Sequence, residues 1–471
     1  MADARQPPDA SLESFVPKSD NARCAVRSAV RFDRADWLGF GGTTVVAFAG
    51  YWFTLAPDVT LEWSGMLTTA ATYAGVPSPP GLPVWILYSW LFTKLLPFAN
   101  DAWRVAVGSA VASALACGLV AMMVSCGAPI LLEDTSTLAH LTPSDRNRLR
   151  TGCGVIAGLV LAFSGVIWGE AVIADFWALS VLLFASVLLS LTIWMFEPER
   201  RRFLYAGLFL LGLLLTNSQE MIVALPALIC AIFLARRKLG RDLALFVVPV
   251  VAIATALFQY GIWIVFPDKL NWPLLVAFAI VGLVGVSLVG FTRGVGSEWK
   301  ATFVCGLCLL FGLAFYFYPP LASITSPPVN WGYPRTVEGF FHVLRRGQWE
   351  GLNPTHEIGR FVEQLWLYTT NAGRQFGWPQ LAISILPFCF LGRMSPRGRL
   401  WMAGLCVVWI CVAPLMIAEL NPPLDRQAEE LIELYFMASH VVLALWMGLG
   451  LTILGAWMTR PNPCPADLIR S

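Results

Sequence analysis

Four short polar clusters interrupt an otherwise apolar chain and carry the residue types that could do chemistry. The first, Asp58-Val-Thr-Leu-Glu62-Trp-Ser-Gly65, sets acids at the end of an apolar run. A carboxylate there is either a solvated loop acid or a general base, a role that depends on placement and a tuned pKa. The second, Gly75-Val-Pro-Ser78-Pro-Pro-Gly-Leu-Pro83, holds four prolines and cannot be helical. It reads as a rigid connector, as one wall of a substrate groove, or as both. The third, Trp168-Gly-Glu170-Ala-Val-Ile-Ala-Asp175-Phe-Trp177, places two acids between apolar runs at a spacing that does not share a helical face. Each acid is a helix-end cap or a partner facing the first loop across a cavity. The fourth, Ser326-Pro-Pro-Val-Asn330-Trp331-Gly-Tyr-Pro-Arg335-Thr336, reads as tight turns that present Trp331 and Arg335. A guanidinium suits a phosphate, and the alternative is a loop salt bridge.

Other chemistries find less support. His140, His342, His356 and His440 show no metal-ligand spacing. Cys117, Cys230, Cys305, Cys389, Cys406 and Cys411 lie in apolar runs, where thiols act as small hydrophobes. The Cys305–Cys308 pair is a CxxC inside such a run, with no framework around it. The net charge of +2 gives no case for a nucleic-acid partner.

The elements that position these clusters follow from composition. Apolar residues make up 57% of 471 residues and charged residues 13%, against about 25% charged in soluble domains. A bilayer accommodates that excess where a water-facing fold does not. Spanning helices need about 20 mainly apolar residues. Candidates lie at 37–56, 103–131, 151–168, 177–196, 203–218, 219–235, 243–266, 273–291, 301–318, 379–392, 399–418 and 435–459. The stretch 82–97 is shorter and contains Lys94. If it crosses, the Arg and Lys clusters fall on opposite sides. If it lies in the interface plane, those around 23–34, 146–150, 200–202, 236–241, 293–300, 393–399 and 460 share one side. The expectation is an all-α polytopic membrane protein with about twelve spans and an in-plane helix in the first outer loop. Residues 1–36 are expected to be a disordered cytoplasmic tail, 37–459 the membrane-embedded domain and 460–471 a short cytoplasmic tail. The long outer loops are 57–102 and 319–378, and a short outer turn lies near 169–176, so every polar cluster above maps to the outer face.

The run Leu55-Ala-Pro-Asp-Val-Thr-Leu-Glu-Trp-Ser-Gly65, with Gly-Val-Pro-Ser-Pro-Pro-Gly-Leu-Pro83, resembles the start of the transmembrane protein O-mannosyltransferase-like family. The likeness continues through Glu170 to Asp175 and Asn330 to Thr336, and more weakly through Asn421-Pro-Pro-Leu-Asp425 and Ser439-His440. The resemblance implies a GT-C-like architecture and a sugar transferred from a polyprenyl-phosphate carrier to a Ser or Thr hydroxyl of an exported protein. It implies Glu62 as catalytic base and Asp175 as a second acid. Asp58, Ser78, Glu170, Asn330, Trp331, Arg335 and Arg426 are the expected substrate-binding residues, the two arginines serving the leaving phosphate. The chain departs from the family pattern at Trp63 and Met66, where acids are frequent, at Ser78, where His is, and at Leu82, where Tyr is.

The expected reaction is an inverting hexosyl transfer, of mannose or another hexose, in a bacterial inner membrane with the site on the periplasmic face. No tightly held cofactor is expected. The lipid-linked sugar is the donor, and a divalent metal on its phosphate is compatible with the reaction. The expected partners are membrane lipid, that donor and the exported acceptor. Two rival classes stand beside the enzyme: a transporter or flippase of lipid-linked sugar, and an inactive glycolipid-binding relative. Transporters concentrate polar groups mid-span at broken helices, whereas here they gather at outer span ends.

Overall fold

A computed structural model of the chain describes residues 32–61, 63–131, 141–259, 272–292, 294–344, 354–425 and 433–459. These residues are helical throughout apart from turns and one isolated bridge, with no strand among them. Both expected tails lie almost wholly outside the described residues, as does His140.

The first part of the chain forms α1 (Arg34–Thr54), α2 (Ser64–Thr72), α3 (Pro83–Leu95) and α4 (Asp101–Leu131). Next come α5 (Pro143–Ala162), α6 (Gly165–Ala171), α7 (Trp177–Phe196) and α8 (Arg201–Asn217). Helix α4 is the central post and packs against α1, α3, α5, α7 and the last helix. Its small side chains permit this, because without water the contact between spans relies on close packing. A Cβ on Gly154 of α5 would stand 2.5 Å from the Ala121 carbonyl oxygen of α4, and one on Gly158 2.6 Å from that of Cys117. Helices α5 and α6 meet at 70°. The bend falls at Ser164, whose hydroxyl bonds back to the Leu161 carbonyl at 2.8 Å, a contact that favours bending.

A 3-10 turn, Gln219–Val223, leads into α9 (Ala224–Ala235), followed by α10 (Arg237–Gln259), α11 (Trp272–Thr292) and α12 (Trp299–Leu313). The outer segments are α13 (Tyr318–Ile324), α14 (Val337–Leu344) and α15 (Ile358–Phe376). The chain then forms α16 (Trp378–Ile383), α17 (Leu386–Cys389), α18 (Pro396–Ile410), α19 (Met416–Leu420) and α20 (Met437–Met458). A π-helical segment, Cys411–Leu415, joins α18 to α19. It contains Pro414, whose missing N–H would break a regular α-helical ladder.

Among the described residues, six helical stretches are long and apolar enough to cross a membrane: 101–131, 177–196, 272–292, 299–324, 396–420 and 434–458. The bent pair α5 and α6 would make a seventh. The other expected intervals coincide with helices that are shorter or less apolar, such as α8, α9 and the α16–α17 pair. Helices α11 and α12 leave most of their apolar surface uncovered, including Leu283, Val286, Phe303 and Phe311. The protein is therefore an all-α polytopic membrane protein.

Charges gather at one end of the bundle, here called the basic end. Arg201 of α8 pairs with Glu298 at 2.9 Å, and Arg236 pairs with Glu199. The buried Arg241 pairs with Asp242 at 2.6 Å and donates to Ser297 at 2.9 Å. These contacts gather the loops at 197–202, 236–242 and 292–300 at one end. Nearby, Arg150 of α5 is buried among α1 and α4. It donates to Asp36 at 2.7 Å and to the Ser125 carbonyl at 2.9 Å, and it pairs with Asp33. Ser125 donates to Asp36 at 2.6 Å. Asp33 caps α1 in a reciprocal capping box with Asp36. Burial pushes the Asp33 carboxyl up, but the bond with Asp36 and the Arg150 charge outweigh it and hold the carboxyl below its ordinary value of 3.8.

Candidate active site

At the opposite end, the two long loops are joined through their backbones. Val76 N–H donates to the Val329 carbonyl at 2.9 Å, and Trp331 N–H donates to the Val76 carbonyl at 3.0 Å. This is a parallel bridge between Val76 and Asn330. The pairing is a single isolated bridge, with Pro77 and Pro328 close on either side of it. Gly75 permits the approach, because a Cβ there would stand 2.4 Å from the Val329 carbonyl oxygen. Gly75→Ala is therefore expected to push the loops apart and cost about 1–3 kcal/mol. Thermal unfolding and limited proteolysis near 326–336 would read this out, and an unchanged pattern would count against the junction.

Further contacts tie the proline-rich turn to its neighbours. Tyr318 donates to the Ala74 carbonyl at 2.6 Å. Gly81 has φ +93 and lies against Pro319, so a side chain would meet both steric and backbone penalties. Ser78 is half-buried, and its carbonyl accepts from Gly81 N–H at 2.9 Å. The turn ends in α3, which has Pro83 in its first turn.

Asp175 is buried where α3, α4 and α7 meet. Trp85 Nε1 and Ser109 Oγ donate to its backbone carbonyl at 2.8 and 3.1 Å. Its carboxylate accepts from the N–H groups of Phe176 and Trp177 at the start of α7. Asp175 thus sits just before the start of α7, and Trp85 links it to the helix that follows the proline-rich turn. Glu170 lies elsewhere on this end, half-buried on α6. Just past that helix, the Val172 carbonyl accepts from Ala56 N–H, just past α1, at 2.9 Å, and Val166 N–H donates to Gln375 of α15 at 3.1 Å. Asp58 is exposed and accepts from its neighbour Val59 N–H at 2.7 Å. The residues Glu62 and Arg426 lie outside the described residues.

The fourth cluster forms a cleft of about 460 Å³ lined by Ser326, Val329, Asn330, Trp331 and Tyr333, with Met66 of α2 on the facing side. Both polar atoms of the Asn330 amide are enclosed, with no hydrogen-bond partner among the described residues. Such an amide marks a place where a partner group is missing. Arg335 is exposed close by. Its guanidinium lies 6.0 Å from the Tyr333 ring centroid and 3.5 Å from Ser326 Oγ. The cleft therefore has aromatic faces and a nearby cation, with the Asn330 amide enclosed in its wall.

A second polar group at this end went unnoticed in the sequence. Asn217 Nδ2 donates to Ser180 Oγ at 2.8 Å and to the Phe176 carbonyl at 3.3 Å, and Ser180 and Ser218 hydroxyls lie 2.6 Å apart. Gln219 Nε2 donates to the Leu344 carbonyl at 3.0 Å, which ties this group to α14. Its signal was the polar run Thr216-Asn-Ser-Gln-Glu220 between two apolar helices, which length alone reduced to a short turn. Among the described residues no three His, Cys, Asp or Glu side chains gather as a metal site.

A helical membrane protein with its polar clusters folded onto one end is the class that fold and site define. Residues 64–240 match the family model described as the Protein O-mannosyl-transferase TMEM260 N-terminal domain. A Mus musculus relative named Protein O-mannosyl-transferase TMEM260 is 29% identical over 437 residues, covering 90% of this chain and 51% of the relative. A Dictyostelium discoideum relative named Protein O-mannosyl-transferase tmem260 is 22% identical over 432 residues, covering 87% of this chain and 44% of the relative. The chain spans about half the length of these curated relatives. The matches support an O-mannosyltransferase-like family, as the residue resemblance implied.

Proposed function

We propose that the chain is a membrane-embedded, GT-C-like glycosyltransferase domain with about twelve spans. It moves mannose or another hexose from a polyprenyl-phosphate carrier to a Ser or Thr hydroxyl of an exported protein. The observation that carries this reading is the bridge between Val76 and Asn330. It joins the proline-rich turn to the Asn330–Trp331 segment, which supports a site assembled from separate loops. The names of the relatives support the same reading.

In the proposed reaction, Glu62 takes the acceptor hydroxyl proton while the oxygen attacks the anomeric carbon. The bond from that carbon to the phosphate oxygen breaks, and the configuration inverts. Arg335, with Arg426, stabilises the charge on the departing phosphate. Trp331 and Asn330 hold the sugar, one through its ring face and the other through paired hydroxyls. Asp175 positions the start of α7, and Asp58, Ser78 and Glu170 line the approach. The loop end is taken as the outer, periplasmic face of a bacterial inner membrane, opposite the basic end. Helix α3 lies in the interface plane beside the donor.

The purified protein, given a labelled polyprenyl-phosphate sugar and a Ser/Thr-rich peptide, should move label to the peptide. Movement of intact lipid-linked sugar across vesicles, without transfer, would instead favour the transporter class. Within this assay Arg335→Ala is expected to lower kcat by about 10²–10³-fold. Arg335→Lys should recover only part of the loss, because ammonium lacks the guanidinium fork. Equal activity in all three proteins would remove Arg335 from the leaving-group role.

A further inference from the structure

Helix α15 presents three different strips to three different surroundings. At 3.6 residues per turn, the strips lie roughly a third of a turn apart. Gln364, Tyr368 and Ala372 are buried against the bundle. Gln364 bonds to Asn421 and the Pro422 carbonyl at 2.9 and 2.8 Å, and Tyr368 lies 2.9 Å from Ser439 Oγ. Arg360 and Glu363 form a polar exposed strip. Ile358, Val362 and Trp366 form an apolar strip that is 83%, 57% and 66% exposed.

Both ends of α15 are fixed to the same end of the bundle. Thr355, just before it, donates its N–H to the Ala418 carbonyl at 2.9 Å, beside the end of α19. Gln375, near its end, bonds Val166 of α6. A helix tied at both ends in this way runs along the face and does not cross. His356 at its start stacks on Trp272, the first residue of α11, with centroids 6.1 Å apart. Trp272 and Trp378 are themselves about half exposed. Exposed tryptophans at the start of an apolar span mark the headgroup level.

We propose that α15 is an interfacial helix whose partner is the lipid surface. The strip Ile358–Val362–Trp366 dips toward the acyl chains, Arg360 and Glu363 face water, and Gln364 and Tyr368 fasten the helix to the bundle. This division matches how amphipathic helices lie at a membrane surface. It rests on the helix alone and holds whether or not the protein transfers sugar.

The test uses the full chain in phosphatidylcholine vesicles. Single cysteines at Val362, Trp366, Arg360 and Glu363 carry an environment-sensitive fluorophore, with the wild-type protein as labelling background. Probes at 362 and 366 should be quenched by lipids bearing a spin label high on the acyl chain. They should resist aqueous iodide several-fold better than probes at 360 and 363. Equal iodide quenching at all four positions would overturn the proposal by placing the whole strip in water. Protection from both quenchers at 362 and 366 would also overturn it, because protein would then cover the strip. Ile358→Cys serves as the alternative apolar position if Trp366→Cys fails to fold.

Discussion

Glu62→Gln is expected to lower transfer by about 10²–10⁴-fold, the range supplied by a positioned general base. The substitution keeps the shape and removes the basicity, so KM for the donor should move little. The pH profile is a second readout. Loss of the acid limb of the pH–rate profile in the variant would support the base role. Glu62 carries this weight because Trp63 and Met66 stand where the resembled family has further acids. Full activity in Glu62→Gln would transfer the base role elsewhere, with Asp58 the next acid to replace.

The second large effect concerns folding. Arg150→Met should destabilise the protein by about 3–5 kcal/mol, because it leaves Asp36 buried without its countercharge. The loss would be read as a lower thermal midpoint in detergent. Replacing Asp36 together with Arg150 by apolar residues of similar volume should recover much of it. If the single variant melts like the wild type, the Arg150–Asp36 pair contributes no stability. The pair lies at the basic end, so sugar transfer by the surviving folded fraction should be normal per molecule.

These residues show how legibility varied. Helix α7 matches its expected interval, 177–196, because an unbroken apolar run ends at polar residues on both sides. Arg150 was readable as an orientation charge, but its burial was not. The clue was Asp36 at the head of the first apolar run, since an acid within a span needs a partner. The bend between α5 and α6 was also hidden. It falls at the Ser164–Gly165 pair, which hydropathy does not register. Asp175 reads from the sequence as a cap or as a partner across a cavity, and its carboxylate accepts from the N–H groups of Phe176 and Trp177. The pairing of Val76 with Asn330 could not be read from either segment, because proline and glycine content marks a turn without naming what it touches. Helix α15 was absorbed into a long loop because its apolar residues form a strip and not a run.

The joining of the two loops also sets an order of events during synthesis. Tyr318 reaches back 244 residues to Ala74, and the bridge closes just beyond it. Contacts this distant in sequence form only after the intervening chain is in place. The early spans can therefore enter the membrane and pack while the cleft is still absent. A nascent chain stopped before Trp331 would hold the proline-rich turn without its partner segment. The cleft would then form late in synthesis, after most of the chain has been made.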